Sequence, residues 1–299
     1  MSDGSDRRAQ LLATLALLGV TASWGSTFFM IHDLVDRIPV VDFLAVRFAI
    51  AAVAMVAAAP RAVLRLGAAK RRHALVLGLL YGLAQILQTT GLAHTPASVS
   101  GFITGMYVVC TPLFAALILR TRIGALTWGA VVLAVLGLGV LTLGGLSVGY
   151  GEALTLVAAM LYALHIVGLG AWSTARDAIG MSIVQCIVIA VLCTLAALPG
   201  GIAVPHRAAD WAAVVYMALV AGAAALLVQT WAQAHLPPTR TAIIMSMEPV
   251  FAALFAVVFG GEPATVRMLL GGALVLAAML ITELAPRRKV ESEVPHIAV

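Results

Sequence analysis

Two charged residues lie inside long apolar stretches of the sequence, where a charge needs either a partner or a function. Glu248 could bind a proton or a cationic group of a substrate, or it could brace a kink at the next residue, Pro249. Arg47 could hold an anionic group such as a carboxylate, or it could pair with Glu248, with Asp42 or with carbonyls at a helix end. A charge in an apolar phase costs about 2.5–3.5 kcal/mol on insertion scales, so both side chains should face protein or water.

Uncharged polar residues recur at helical spacing in similar stretches. Thr104, Tyr107 and Thr111 follow the spacing i, i+3 and i+7, which places them on one face of a helix. Such a stripe either lines an aqueous cavity or forms hydrogen bonds between helices. For Trp24 the alternatives are a cavity wall or bulky packing, and for His165 a proton relay or a packed histidine. The predicted substrate-binding residues are Trp24, Tyr81, Gln85, Gln88, Thr104, Tyr107, Tyr162, His165 and Gln229.

Two prolines interrupt apolar stretches at corresponding places. Pro112 and Pro249 lack the backbone N–H, so the carbonyls of Val108 and Met245 lose their usual helical partner. Kinks or hinges are therefore expected at both places. The residues assigned to coupling or gating are Glu248, Arg47, Pro112 and Pro249.

The composition places these residues in a membrane protein. Hydrophobic residues make up 62% of 299 and charged residues 10%, against roughly a quarter in soluble proteins. A spanning helix needs about 20 mostly apolar residues. Ten segments qualify: 9–31, 40–59, 73–93, 97–119, 127–146, 151–172, 181–198, 208–234, 241–260 and 265–284. Fourteen of the 18 basic residues fall on one side of such an arrangement and three on the other, which predicts a multi-pass protein of the cytoplasmic membrane with both termini cytoplasmic.

Two motifs occur twice in the same order. Gln-Thr-x-x-x-Ala-His-x-Pro begins at Gln88 and again at Gln229, an offset of 141. A proline followed by an apolar residue and Phe-Ala-Ala-Leu occurs at Pro112 and Pro249, an offset of 137. The predicted fold is therefore all-α, with ten transmembrane helices as two inverted five-helix repeats, 9–146 and 149–284. Residues 1–8 would be a cytoplasmic N-terminus and 285–299 a disordered cytoplasmic tail. Inverted repeats are a recurring design of secondary transporters.

Several short motifs together resemble a known family. They are Trp-Gly-Ser-Thr-Phe at 24–28, Arg-Phe at 47–48, the motif that begins at Gln88, Met-Glu-Pro-Val-Phe-Ala-Ala-Leu at 247–254 and Gly-Glu-Pro at 261–263. In this order they resemble the EamA branch of the drug/metabolite transporter superfamily, over about residues 9–285. The resemblance implies two EamA repeats, a central cavity between the halves and alternating access. It does not imply a substrate, because members move amino acids, other metabolites, nucleotide sugars and drugs.

The predicted function is thus secondary transport of a small metabolite (an amino acid or related compound, or a drug), as an exporter. The alternative is a passive channel or facilitator for small solutes, although channels are usually symmetric about the membrane normal. No hydrolase or zinc-protease motif and no phosphate-binding loop occurs, so neither an enzyme nor a nucleotide-driven pump is expected. Three unpaired cysteines, Cys110, Cys186 and Cys193, are interpreted as small buried side chains. The expected partners are a small-molecule substrate and lipid, without nucleic acid, metal or cofactor, in a monomer or homodimer.

Overall fold

The structure, a computed structural model, describes residues 3–119, 124–142, 149–236 and 244–284, and all regular elements in those ranges are helical. The first half contains α1 (Asp3–Val35), α2 (Val40–Ala58), α3 (Ala68–Leu92), α4 (Ala97–Gly105), α5 (Tyr107–Leu119) and α6 (Ala125–Thr142). The second half contains α7 (Tyr150–Trp172), α8 (Ala178–Ala197), α9 (Ala208–Ala218), α10 (Ala225–Gln233), α11 (Glu248–Val258) and α12 (Val266–Leu284). A π-helical segment, Leu219–Ala224, joins α9 to α10 and is called the wide turn below. The predicted tail, 285–299, lies outside the described residues.

Long apolar helices dominate the described part of the chain. Seven spans there are long and apolar enough to cross a membrane, at Gln10–Val35, Val40–Ala58, Ala68–Leu92, Ala97–Ile118, Tyr150–Trp172, Ala178–Gly200 and Ala208–Gln233. Three shorter apolar helices are Trp128–Val140, Glu248–Val258 and Val266–Ile281. The outer surface is also apolar, since Val53, Leu117 and Leu269 are 70%, 74% and 60% exposed. Lipid is a good solvent for such a surface, whereas in water it would promote association.

The two proline-containing spans differ from the continuous helices that were predicted. The segment 97–119 is divided at Met106 into α4 and α5, about one and a half turns before Pro112. In the second half, α11 begins at Glu248 and carries Pro249 in its first turn. Proline fits the first turn because the N–H that it lacks would have no intrahelical acceptor there. Glu248 therefore starts a described helix, whereas the sequence predicted it about two turns inside one.

Helices of the two halves pack directly on each other. The main pairs across the halves are α1 with α11, α4 with α11, α2 with α8, α3 with α7, α3 with α8 and α6 with α12. Two glycines allow the closest approaches. A Cβ atom on Gly78 would lie 2.8 Å from Val188 Cβ on α8, and a Cβ atom on Gly101 would lie 2.5 Å from Ala252 Cβ on α11. These tight contacts surround the molecule's centre, where the packing leaves a cavity.

Candidate functional site

One cavity lies at the centre of the helix bundle. The empty space in and at the mouth of this cavity, including space that is open to the surroundings, is about 580 Å³. Helices α1 to α5 form its first-half wall, and α7, α10 and α11 form its second-half wall. The lining residues are Trp24, Thr27, Phe28, Ile31, Arg47, Tyr81, Gln85, Gln88, Thr89, Leu92, Thr104, Tyr107, Tyr162, His165, Ile166, Gln229, Met245 and Glu248. The walls thus combine aromatic rings, amides and hydroxyls with one acidic and one basic side chain.

The acidic side chain, Glu248, is held at the start of α11. It is only 5% exposed, and its Oε2 accepts a hydrogen bond from the Tyr107 hydroxyl at 2.9 Å. The positive end of the α11 dipole stabilises a negative charge at this position. The same hydroxyl lies 3.1 Å from the Met245 carbonyl oxygen, which has lost its helical donor to Pro249. Tyr107 therefore joins the first half to the kinked segment of the second half.

The basic side chain, Arg47, has no acidic partner among the described residues. It is 2% exposed, and its Nε–H donates to the carbonyl oxygen of Met217 at 3.2 Å. Among the described residues, no carboxylate oxygen lies within 4.0 Å of it, so pairing with Glu248 or Asp42 is excluded as its role in this structure. Asp42 instead accepts the N–H of Ala203 at 3.0 Å. Within the described part of the chain, the guanidinium is therefore a cation in the cavity wall that forms no ion pair.

A chain of side-chain hydrogen bonds links three helices on another side of the cavity. The Tyr162 hydroxyl donates to Gln88 Oε1 at 2.7 Å, and Gln88 Nε2 donates to the Thr104 hydroxyl at 3.0 Å. Tyr162 belongs to α7, whereas the other two residues belong to α3 and α4. This chain satisfies its own polar atoms and ties the second half to the first.

Two other polar residues of the wall differ in how well their atoms are satisfied. His165 Nε2 lies 2.8 Å from Gln185 Oε1, and the Tyr81 ring centre lies 5.0 Å from the His165 ring centre. The histidine thus has a buried partner, as in the packing alternative. In contrast, the Oε1 atom of Gln229 is buried and accepts no hydrogen bond within the described part of the chain. This amide oxygen is available to a donor that enters the cavity.

Polar contacts close one end of the bundle, near the end of α1. Arg37 donates to Asp33 at 2.7 and 3.1 Å and to Asp210 at 2.8 Å. Its hydrogen bonds to Asp33 and Asp210 raise the pKa of Arg37, which stays charged at any working pH. Nearby, Glu262 accepts the N–H of Ala97 at 2.5 Å and hydrogen bonds from Ser98, which caps α4 from the loop before α12.

Comparison with known proteins decides the family. The model of the EamA-like transporter family matches the chain twice, at residues 11–143 and 149–284. The chain belongs to the EamA-like transporter family. An uncharacterized transporter of Archaeoglobus fulgidus is 27% identical over 281 residues, which cover 94% of this chain and 89% of the relative. A crystal structure described only as that of a protein shares the fold, with a TM-score of 0.66, 20% identity and coverage of 90% of this chain and 95% of that one.

Membership of the EamA-like transporter family confirms the resemblance and the prediction of a membrane transporter rather than an enzyme. Residues of both matched regions line the cavity. Trp24 to Tyr107 lie in the first, and Tyr162 to Glu248 lie in the second.

The structure of this EamA-like transporter brings most of the predicted site residues together. All nine predicted substrate-binding residues line the cavity, as do Arg47 and Glu248. Pro112 and Pro249 do not line it; they shape the helices behind it. Thr111 shares a predicted stripe with cavity residues, but its hydroxyl donates to the Tyr107 carbonyl of its own helix at 2.7 Å. The substrate-binding role of these residues remains a prediction.

The remaining lining residues of the cavity in this EamA-like transporter, most of them apolar, were not predicted from the sequence. Thr27, Phe28 and Ile31 follow Trp24 at i+3, i+4 and i+7, so helical spacing from Trp24 would have identified that face. Met245 could have been found as the residue whose carbonyl is freed by Pro249.

Proposed function

We propose that the chain is a secondary transporter that exports a small metabolite across the cytoplasmic membrane by alternating access. The observation that supports this best is the central cavity, because both family-matched regions build its wall and it holds an acidic and a basic residue apart. A site between two halves can face either side of a membrane when the halves rock against each other.

We propose further that the halves are inverted five-helix repeats in a ten-helix bundle. The helix pairings support this arrangement, because exchanging the halves maps each main pair either onto another observed pair or onto itself. The contact of α1 with α11 corresponds to that of α7 with α4 and α5, and the contact of α3 with α7 corresponds to that of α10 with α1. The pairs α2 with α8 and α6 with α12 map onto themselves. Among the described residues, the seven long spans and the three shorter apolar helices equal in number the ten crossings of this proposal.

The charges of the cavity favour a zwitterionic substrate, as an amino acid or related compound would be. Arg47 offers a guanidinium that can bind a carboxylate in a bidentate manner. Glu248 and the free Oε1 of Gln229 are acceptors for an ammonium group. A solute that carries both charges would satisfy all three groups, whereas a simple amine or acid would leave one buried charge unpaired at a cost.

Matched probes test this proposal in proteoliposomes. L-phenylalanine, 2-phenylethylamine and 3-phenylpropanoate share a ring but carry both charges, the ammonium only and the carboxylate only. L-leucine, isopentylamine and 4-methylpentanoate form an aliphatic set. We expect exchange of a preloaded, radiolabelled amino acid to be inhibited on the order of tenfold better by the zwitterion of a set than by either partner.

Two variants test which cavity residue binds which charged group of the substrate. Arg47→Lys should weaken inhibition by zwitterions and acids but not by amines. Glu248→Gln should weaken inhibition by zwitterions and amines but not by acids. Arg65→Lys and Glu152→Gln, outside the cavity lining, are the matched controls. Equal inhibition by all three members of each set would reject the zwitterion proposal. Flux that neither saturates nor responds to preloaded substrate would support the passive channel instead.

A further inference from the structure

The wide turn leaves one backbone carbonyl without its α-helical donor. In an α-helix the N–H of Ala225 would bond to the carbonyl of Ala221. Here it bonds instead to the carbonyls of Val220 and Gly222. Such π-helical turns are rare, and they occur frequently at functional sites.

A cavity side chain from α1 supplies the missing donor. The indole N–H of Trp24 donates to the Ala221 carbonyl at 2.8 Å, and Trp24 is 9% exposed. One turn earlier, the Met217 carbonyl accepts the Nε–H of Arg47 from α2. Two neighbouring carbonyls of one helix therefore hold the two cavity side chains that reach it from α1 and α2. The residues of the wide turn are all apolar, so only their backbone can bind Trp24, and Met217 lies two residues before the turn, in α9.

We propose that the wide turn is the positioning element of the carboxylate subsite. By binding Nε, the Met217 carbonyl fixes the plane of the Arg47 guanidinium and leaves its two terminal nitrogens for a substrate. By binding the indole, the Ala221 carbonyl fixes the ring of Trp24 in the wall of the same cavity. This inference rests on the proposed function, since it concerns how the same cavity recognises its solute. The wide turn, anchored by Trp24, sets the position of the helix segment whose Met217 carbonyl holds Arg47, and it need not touch the carboxylate itself.

Deletion of Ala224 removes the extra residue that a π-helical turn holds relative to an α-helical one. The faces of α9 and α10 then keep their directions, while the Ala221 carbonyl regains an amide donor. Trp24→Phe is the complementary change, because it keeps an aromatic ring and removes the N–H. Trp231→Phe, on α10 and outside the cavity lining, is the control for loss of a tryptophan.

The first measurement is independent of any substrate. The chain has five tryptophans, so ¹⁵N-labelled indole NMR of the purified protein gives a countable set of N–H signals, with that of Trp24 assigned from Trp24→Phe. In the wild type we expect this N–H to exchange slowly with deuterium. Deletion of Ala224 should speed its exchange on the order of tenfold and leave the other four signals unchanged.

The second measurement separates positioning from stability. In the deletion variant and in Trp24→Phe, the preference for L-phenylalanine over 2-phenylethylamine as an inhibitor of amino acid exchange should fall on the order of tenfold. A loss of stability alone would weaken inhibition by both probes equally. Unchanged discrimination in a folded deletion variant would overturn the inference, and if that variant does not fold, unchanged discrimination in Trp24→Phe would do so. If the wild type exchanges no amino acid, the proposed function itself fails.

Discussion

The hydrogen bond between Tyr107 and Glu248 should contribute measurably to stability, by an amount that depends on pH. The phenol has one proton but two acceptors in reach, Glu248 Oε2 at 2.9 Å and the Met245 carbonyl at 3.1 Å. When Glu248 is ionised, the Tyr107 hydroxyl donates to the carboxylate. A hydrogen bond to a charged group contributes about 1.5–3 kcal/mol to stability. When Glu248 is protonated, the Tyr107 hydroxyl donates to the Met245 carbonyl, and this neutral hydrogen bond contributes about 0.5–1.5 kcal/mol.

Tyr107→Phe tests this difference, because it removes the hydroxyl and keeps the ring. The free energy of unfolding, measured by titration of the mixed-micelle protein with sodium dodecyl sulfate, should fall by about 2 kcal/mol at high pH and about 1 kcal/mol at low pH. In a Glu248→Gln background the loss should stay near the lower value at every pH. Tyr150→Phe is the control, since Tyr150 is 65% exposed, and it should change the free energy by less than about 0.5 kcal/mol.

A loss that is the same at both pH values would refute this reasoning. So would an equal loss in the presence and absence of the Glu248 carboxylate, since the two residues would then not interact.

Three other predictions follow from contacts in the structure. Gln88→Leu leaves the Tyr162 hydroxyl without an acceptor and should lower the free energy of unfolding by about 1–3 kcal/mol in the same titration. Glu262→Gln weakens the cap on α4 and should speed amide hydrogen exchange in its first turn, by about three- to tenfold. In a background without native cysteines, a membrane-impermeant thiol reagent should label Asp36→Cys from outside intact cells and leave Ala69→Cys unlabelled, because both termini are proposed to be cytoplasmic.

Each of these three predictions has a result that contradicts it. Wild-type stability in the leucine variant would mean that its tyrosine finds another acceptor. Unchanged exchange at the start of α4 would show that the carboxylate is not its cap. External labelling of position 69, with position 36 protected, would reverse the proposed orientation.

Most of the polar cavity wall could be located from sequence because polar side chains are conspicuous in apolar helices. Tyr81, Gln85 and Gln88 could be recognised by spacing alone, since the lipid face offers them no partner. The apolar wall carried no such contrast: Phe28 and Ile31 are ordinary residues for any buried helix face. Their positions became informative only when Trp24 was known to face the cavity.

The wide turn and the main-chain acceptor of Arg47 could not be predicted from the local sequence. The wide turn reads Leu-Val-Ala-Gly-Ala-Ala, with no proline or polar residue to mark it. The Ala221 carbonyl, which lacks its α-helical donor, accepts the indole N–H of Trp24, 197 positions away in the chain. The partner of Arg47 is likewise a main-chain oxygen, that of Met217, which has no side-chain signature. Such features depend on tertiary contacts that spacing within one helix cannot reveal.

The two halves differ where their sequences correspond, and this difference bears on coupling. The offset of 137 aligns Glu248 with Thr111 and Ile244 with Tyr107, so the first half supplies the phenol and the second half the carboxylate. Thr111 is satisfied within its own helix and makes no equivalent link. When Glu248 gains a proton, the phenol no longer faces a charged acceptor, so its own proton can be donated to the Met245 carbonyl instead.

Proton binding at Glu248 would therefore transfer a hydrogen bond to the backbone at the start of α11, where Pro249 has removed the helical donor. In the proposed two-fold arrangement this transfer occurs in one half alone, so it would favour one of the two proposed facing states over the other. Glu248→Gln should consequently fold normally and retain exchange between equal pools, while net export loses its dependence on a pH gradient. Export in that variant that still follows the gradient would remove Glu248 from the coupling step and leave it as a binding residue for ammonium groups.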